Sequence, residues 1–184
     1  ARVRVRVPDD GRFPGLPVRG GENEGLFYPL TGESWCVGPE LVVARDLGSE
    51  IDVLEGFSVP HCPETFRPFG AVLRTLQDIR NESDKGSVSE RGAKEIANSV
   101  YGQIARTVAG MRMGGKPVKG FDLFDGSRPD IPASAITSAP LAAYTTAVAR
   151  ACVSELINSV PADEIVISVT TDGFLTSATF DQID

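Results

Sequence analysis

Lys94, Asn98 and Tyr101 are separated by steps of four and three in the run Lys94-Glu95-Ile96-Ala97-Asn98-Ser99-Val100-Tyr101-Gly102. On an α-helix, at about 100° per residue, the three fall within an arc of roughly 60°. Ile96, Val100 and Ile104 then point elsewhere, toward a core. One face of the helix offers an ammonium, an amide and a phenol in a row. Lysine is a point-charge binder of phosphate. A tyrosine ring with its hydroxyl suits a base or a sugar edge. A polar solvated face with Tyr101 half buried has the same spacing, and spacing alone favours that plainer reading.

A second candidate is the turn in Ser168-Val169-Thr170-Thr171-Asp172-Gly173-Phe174. A carboxylate at the tip of a hairpin between two apolar strands is well placed to hold a divalent cation. Magnesium favours carboxylate oxygens close to substrate phosphates. Asp172-Gly173 is also an ordinary turn-forming pair, and taken alone the segment favours the turn. Asp122, Asp125 and Asp130 fit a solvated acidic loop better than a cation site. Arg2, Arg4 and Arg6 form a basic strand face, suited to a DNA backbone or to a solvated edge. His61 beside Cys62 supplies two adjacent donors where zinc needs about four, so a plain loop is expected there. With a single histidine and no nucleophile motif, triad hydrolysis is not expected.

The 184 residues carry 18 Lys plus Arg against 25 Asp plus Glu, a net charge of -7. That balance argues against nucleic-acid binding by bulk charge, although it allows a locally basic site. Apolar residues make up 41% and charged residues 23%, which is enough for one sizeable core. No apolar run approaches the roughly 20 residues of a membrane span, so no membrane partner is expected. The Arg-Val repeat at the start does not read as a secretory signal. Three cysteines without paired spacing suggest a reducing, cytoplasmic setting.

These residues must be positioned by a mixed set of elements. Residues 2–7 alternate Arg and Val and read as a half-buried strand. Residues 12–24 read as loop. Two short strands are expected around Thr31-Gly32, and Pro39-Glu40 open a helix that Gly48 stops. Another strand is expected over 50–57. Phe66, Phe69, Leu73, Leu76 and Ile79 recur at helical steps, and a second helix follows from about Val88 to Val108. The two form an antiparallel helical hairpin. Residues 109–133 read as a long irregular connector. Ser138 can cap a third helix with the stripe Leu141, Tyr144, Thr145, Val148, Cys152 and Leu156. The strands 164–169 and 174–180 flank the Asp172-Gly173 turn.

Taken in order, these segments resemble the family B DNA polymerases. Residues 94–102 match that family's fingers motif, Lys-x-x-x-Asn-Ser-x-Tyr-Gly, at every fixed position. Residues 134–150 look like the palm helix before its last catalytic motif, and 170–173 resemble its Asp-Thr-Asp-Ser turn. Gly25-Leu-Phe-Tyr-Pro-Leu-Thr-Gly and Gly38-Pro-Glu-Leu are similar to the protein-primed phage and linear-plasmid branch. The resemblance implies an α/β (α+β) fold, with an antiparallel palm sheet, packed helices and a helical-hairpin fingers element. It also implies three segments: palm-associated strands over 1–63, fingers over 64–108, and connector plus palm over 109–184. Arg80 and Lys94 would hold the nucleotide triphosphate. Asn98 would sit beside it, Tyr101 would lie under the nascent base pair, and Gly102 would allow close approach. Asp172 would be a catalytic metal ligand, and Arg150 and Thr171 would contact DNA. The partners implied are magnesium in a two-metal site, primer-template DNA, deoxynucleoside triphosphates and the remainder of a polymerase chain encoded by a phage, plasmid or virus.

Two departures from the family pattern shape the expectation. Thr170 stands where the family has the first aspartate of the turn. The family's Asp-x-x-Ser-Leu-Tyr-Pro motif, whose aspartate is the other metal ligand, is absent from these residues; by the family's order it belongs before residue 1. The chain by itself is therefore expected to be inactive or nearly so. The rival expectation is a non-catalytic, polymerase-derived module for binding or assembly.

Overall fold

The computed structural model describes residues 1–20, 25–59, 67–106, 119–130, 134–170 and 173–183. His61, Cys62, Thr171, Asp172 and most of the first half of the 109–133 connector lie outside them. The fold is α+β, with four α-helices and small antiparallel sheets among the described residues. Its contacts divide into two units, Ala1–Ser58 with Ala143–Asp184, and Val59–Ala142.

In the first unit, strand β1 (Arg2–Arg6) lies between β4 (Thr31–Trp35) and β5 (Glu50–Glu55), antiparallel to both. Its period-two pattern puts Val3 and Val5 in the core with Val7, Leu16, Cys36 and Ala44. The alternate face carries the arginines. Each lies opposite an acid of β5: Arg2 pairs with Glu55, Arg4 with Asp52 and Arg6 with Glu50. Glu33 of β4 adds ion pairs to Arg2 at 2.9 Å and Arg4 at 3.2 Å. The hydrogen bonds from Arg2 and Arg4 hold the Glu33 carboxyl below its usual range. β1 is thus a central strand rather than a free edge, and cross-strand carboxylates already balance its basic face.

Two short strands, β2 (Val18–Arg19) and β3 (Leu26–Phe27), pair within the stretch expected as loop and first strand. Thr31-Gly32 lies inside β4 rather than at a turn. Helix α1 (Gly38–Asp46) has the expected Pro39 in its first turn, and Gly48 follows it at φ +87. Only a glycine adopts that left-handed conformation without strain.

The second unit contains α2 (Gly70–Glu82) and α3 (Val88–Ile104), joined by residues 83–87 and packed on each other. Leu76 and Ile104 are buried there, but Ile96 is 55% exposed. The seam between α2 and α3 is narrow and Ile96 lies off it, so the expectation that it faces a core is corrected among the described residues.

Helix α4 (Ala139–Ser159) corrects the expected stripe more sharply. Its buried residues are Ala147, Ala151, Ser154 and Ile157, while Leu141, Tyr144 and Leu156 are exposed. The small side chains face inward because a backbone segment crosses them closely. A Cβ on Gly15 would stand 2.8 Å from Ser154 Oγ. The segment around residue 13 is tied to the end of α4. The Arg12 guanidinium donates to the carbonyls of Val160 and Pro161, each at 2.7 Å, and also to that of Glu164. Asn158 donates to the Phe13 carbonyl at 3.1 Å. Arg12 thus satisfies carbonyls of the segment that follows α4.

Ser154 Oγ is buried without a hydrogen-bond partner. Ser154→Ala is therefore expected to be neutral or slightly stabilising, because it removes an unsatisfied hydroxyl. Gly15→Ala is expected to cost about 1–3 kcal/mol by overpacking. The double substitution should recover part of that loss, and thermal melting of the three variants checks all of it.

After α4, β6 (Val166–Val169) and β7 (Phe174–Thr176) form an antiparallel hairpin. Burial pushes the Cys36 thiol up to about 11, whereas Cys152 is exposed. The folded state holds the Cys36 proton more tightly than the unfolded chain does. That contribution to stability is complete below the ordinary thiol value and is lost as pH rises through about 11. At neutral pH, Cys152 is expected to react with a thiol reagent about a hundredfold faster than Cys36, as residue-resolved labelling by mass spectrometry would show.

Candidate functional site

The candidate residues of the second unit are held by the start and the exposed face of α3. Ser87 caps the helix, its Oγ accepting the Glu90 N–H at 3.2 Å. Glu90 reaches back toward the Gly86 N–H at 3.4 Å. Ser87 Oγ satisfies a donor that a helix start leaves open, while the Glu90 carboxylate turns back to the residue before the cap. Gly86, at φ +84, turns the chain into it.

Lys94 and Asn98 are exposed on α3, and Tyr101 is 42% exposed, consistent with one polar face running along the helix. A Cβ on Gly102 would meet nothing within 4 Å, so packing among the described residues does not require a glycine there. Arg80 stands near the end of α2. Its Nε is buried without a hydrogen bond, and Glu90 Oε1 lies 3.7 Å away. Arg80 and the Lys94 face are thus brought onto one helical pair, with a carboxylate that the sequence reading did not single out. Its signal was legible as the Ser-x-x-Glu pattern of a capping box at Ser87–Glu90.

Arg150 lies on α4 in the first unit. Its Nε donates to Glu40 Oε1 at 2.6 Å. The Glu40 side chain has no exposed surface, while that of Arg150 is 22% exposed. Glu40 Oε2 also accepts the Val37 N–H at 2.9 Å. One buried carboxylate therefore caps α1 and anchors α4, a role that sequence spacing did not reveal. Tyr28 is near this pair, and burial raises its phenol above the ordinary value.

A cavity of about 750 Å³ opens in this unit, with Tyr28, Thr146, Arg150, Ser154, Val169 and Thr170 among its lining residues. Its wall is largely apolar, with a guanidinium, a phenol and hydroxyls set into it. Thr170 stands at the mouth of the β6–β7 turn. Its N–H donates to the Gly173 carbonyl at 2.7 Å, and its Oγ1 reaches the same carbonyl at 3.0 Å. Thr170 thus fastens the turn.

Asp172 and Thr171 lie outside the described residues. Among the described residues, no three His, Cys, Asp or Glu side chains form a group that could hold a metal ion. The described residues do not by themselves make up a two-metal site. In the connector, Asp125 accepts the Ser127 N–H at 2.7 Å and Asp122 that of Phe124 at 2.8 Å. The bond from the Ser127 backbone holds the Asp125 carboxyl below its usual range. Asp130 pairs with Lys119 at 2.5 Å. These acids shape a loop. No helix among the described residues is long and apolar enough to cross a membrane.

No family model matches the chain. No solved structure matches it either. Among curated proteins, it is similar to the "Primer-independent DNA polymerase PolB" of Escherichia coli, with 39% identity over 191 residues. The match covers 100% of this chain and 21% of that protein. The chain is therefore similar, along its whole length, to about a fifth of a DNA polymerase.

Proposed function

We propose that the chain is the fingers and part of the palm of a family B DNA polymerase, acting within a longer protein in template-directed nucleotidyl transfer. The observation that carries this reading is the full-length similarity to a DNA polymerase, combined with Lys94, Asn98, Ser99, Tyr101 and Gly102 at every fixed position of the fingers motif. In this reading Lys94 and Arg80 neutralise the triphosphate, Asn98 sits beside it, and Tyr101 and Gly102 face the nascent base pair. Cationic side chains suit the charge that develops in phosphoryl transfer. Arg150 and Thr171 contact DNA. Asp172 is one magnesium ligand, and the partner carboxylate of the two-metal site comes from outside these residues.

The test is binding of a magnesium-deoxynucleoside triphosphate to the chain, measured alone and with template DNA. The relative's name speaks of primer independence, so primed and unprimed templates are both used. Binding that template strengthens, without primer extension by the chain alone, is the expected result. No nucleotide binding under any of these conditions overturns the reading. Robust extension by the 184-residue chain overturns the proposal that its metal site is incomplete. A non-catalytic module remains the second reading, favoured by Thr170 standing in the first-aspartate position and bonding to the Gly173 carbonyl.

A further inference from the structure

We propose that Glu90 is a built-in counter-ion of the triphosphate site: it neutralises Arg80 and Lys94 while the site is empty and opposes the incoming phosphates, and so sets nucleotide affinity. This rests on the reading of Arg80 and Lys94 as triphosphate contacts.

Glu90 is an anion held at a helix start, with Arg80 in ion-pair range and Lys94 one turn along the same helix. Its backbone N–H is taken by Ser87 Oγ at 3.2 Å, and its carboxylate lies 3.4 Å from the Gly86 N–H. It therefore belongs to the start of α3, where the helix dipole favours negative charge. Arg80 reaches it from α2. Their separation of 3.7 Å lies within ion-pair range, yet Arg80 Nε makes no hydrogen bond. A guanidinium carries five donors in a rigid fork, and here at least one buried donor is left unused. The pair is attractive without being locked, so a phosphate that satisfies the fork gains what Glu90 does not supply. The side chains are only 36% and 18% exposed, so their interaction is not fully screened.

Lys94 lies one turn beyond Glu90 on the same helix. A glutamate four residues before a lysine is the favourable order for such a pair. Glu90 is thus ion-paired with Arg80 and stands one helical turn from Lys94, so its charge offsets part of theirs. A bound triphosphate must take both cations in the presence of that carboxylate. Arg80 leaves Glu90 for the phosphates, while Glu90, anchored at the helix start, stays behind and repels them.

Glu90→Gln keeps the shape of the side chain and removes its charge. It is expected to tighten magnesium-deoxynucleoside triphosphate binding by about threefold to tenfold at low salt, with the gain shrinking as salt is raised. Glu90→Asp keeps the charge at the helix start and withdraws it by one methylene, so an intermediate gain is expected. A purely structural role for Glu90 would lower the melting temperature without tightening binding. Lys94→Ala is measured in parallel to separate the two readings. If Lys94→Ala weakens binding and neither Glu90 variant strengthens it, the counter-ion proposal is overturned and the triphosphate site stands. If Lys94→Ala binds as wild type does, or if nothing binds, the site reading fails and takes this proposal with it.

Discussion

Lys94→Ala is expected to weaken binding of a magnesium-deoxynucleoside triphosphate about ten- to a hundredfold, with no change in melting temperature. The magnitude follows from losing charge-assisted hydrogen bonds, worth roughly 1.5–3 kcal/mol when one partner is ionised. The stability expectation follows from position. Lys94 is exposed on α3, away from the buried Ala93 and Ile104, and surface substitutions there cost little. Lys94→Arg should restore only part of the affinity, because a planar fork does not reproduce a compact ammonium. Calorimetric titration of the three proteins checks this. Equal affinity in all three would sink the triphosphate reading of α3, while the fold would be unaffected.

Arg150→Ala carries the largest expected effect on stability, about 3–5 kcal/mol, because it strands Glu40 as an unpaired buried charge. Glu40 has no exposed side-chain surface and is 2.6 Å from Arg150 Nε. A loss of that size in a unit of about 100 residues lowers the melting temperature by about ten degrees or more. The double variant Glu40→Gln, Arg150→Met should recover much of it, since neither position then holds an unpaired charge. The recovery separates a structural role for Arg150 from contact with DNA: a variant that melts normally but no longer binds template would show both. A melting temperature for Arg150→Ala within a degree or two of wild type would show that the pair contributes nothing.

The balance between sequence and tertiary structure is uneven across the molecule. Period-two alternation at residues 2–7 reported which side of β1 is buried, because a strand alternates faces whatever it packs against. Gly48 and Pro39 marked helix ends, because caps and breakers act through the local backbone. The polar face of Lys94, Asn98 and Tyr101 was legible for the same reason, since helical geometry is local. The stripe on α4 failed because size was taken as the guide to burial. Ala147, Ala151 and Ser154 are inside because the chain near Gly15 crosses there, and no sequence period carries the position of a distant segment.

The α+β element content and the polar face of α3 can be read from the residues alone. These depend on spacing within single elements. Which charges balance one another follows from how the chain folds. Arg2, Arg4 and Arg6 face acids that come from β4 and β5. Arg80 meets Glu90 across the α2–α3 pair, and Arg150 meets Glu40 from 110 residues away. Coulomb interactions depend on distance in space and on burial, and the folded chain sets both.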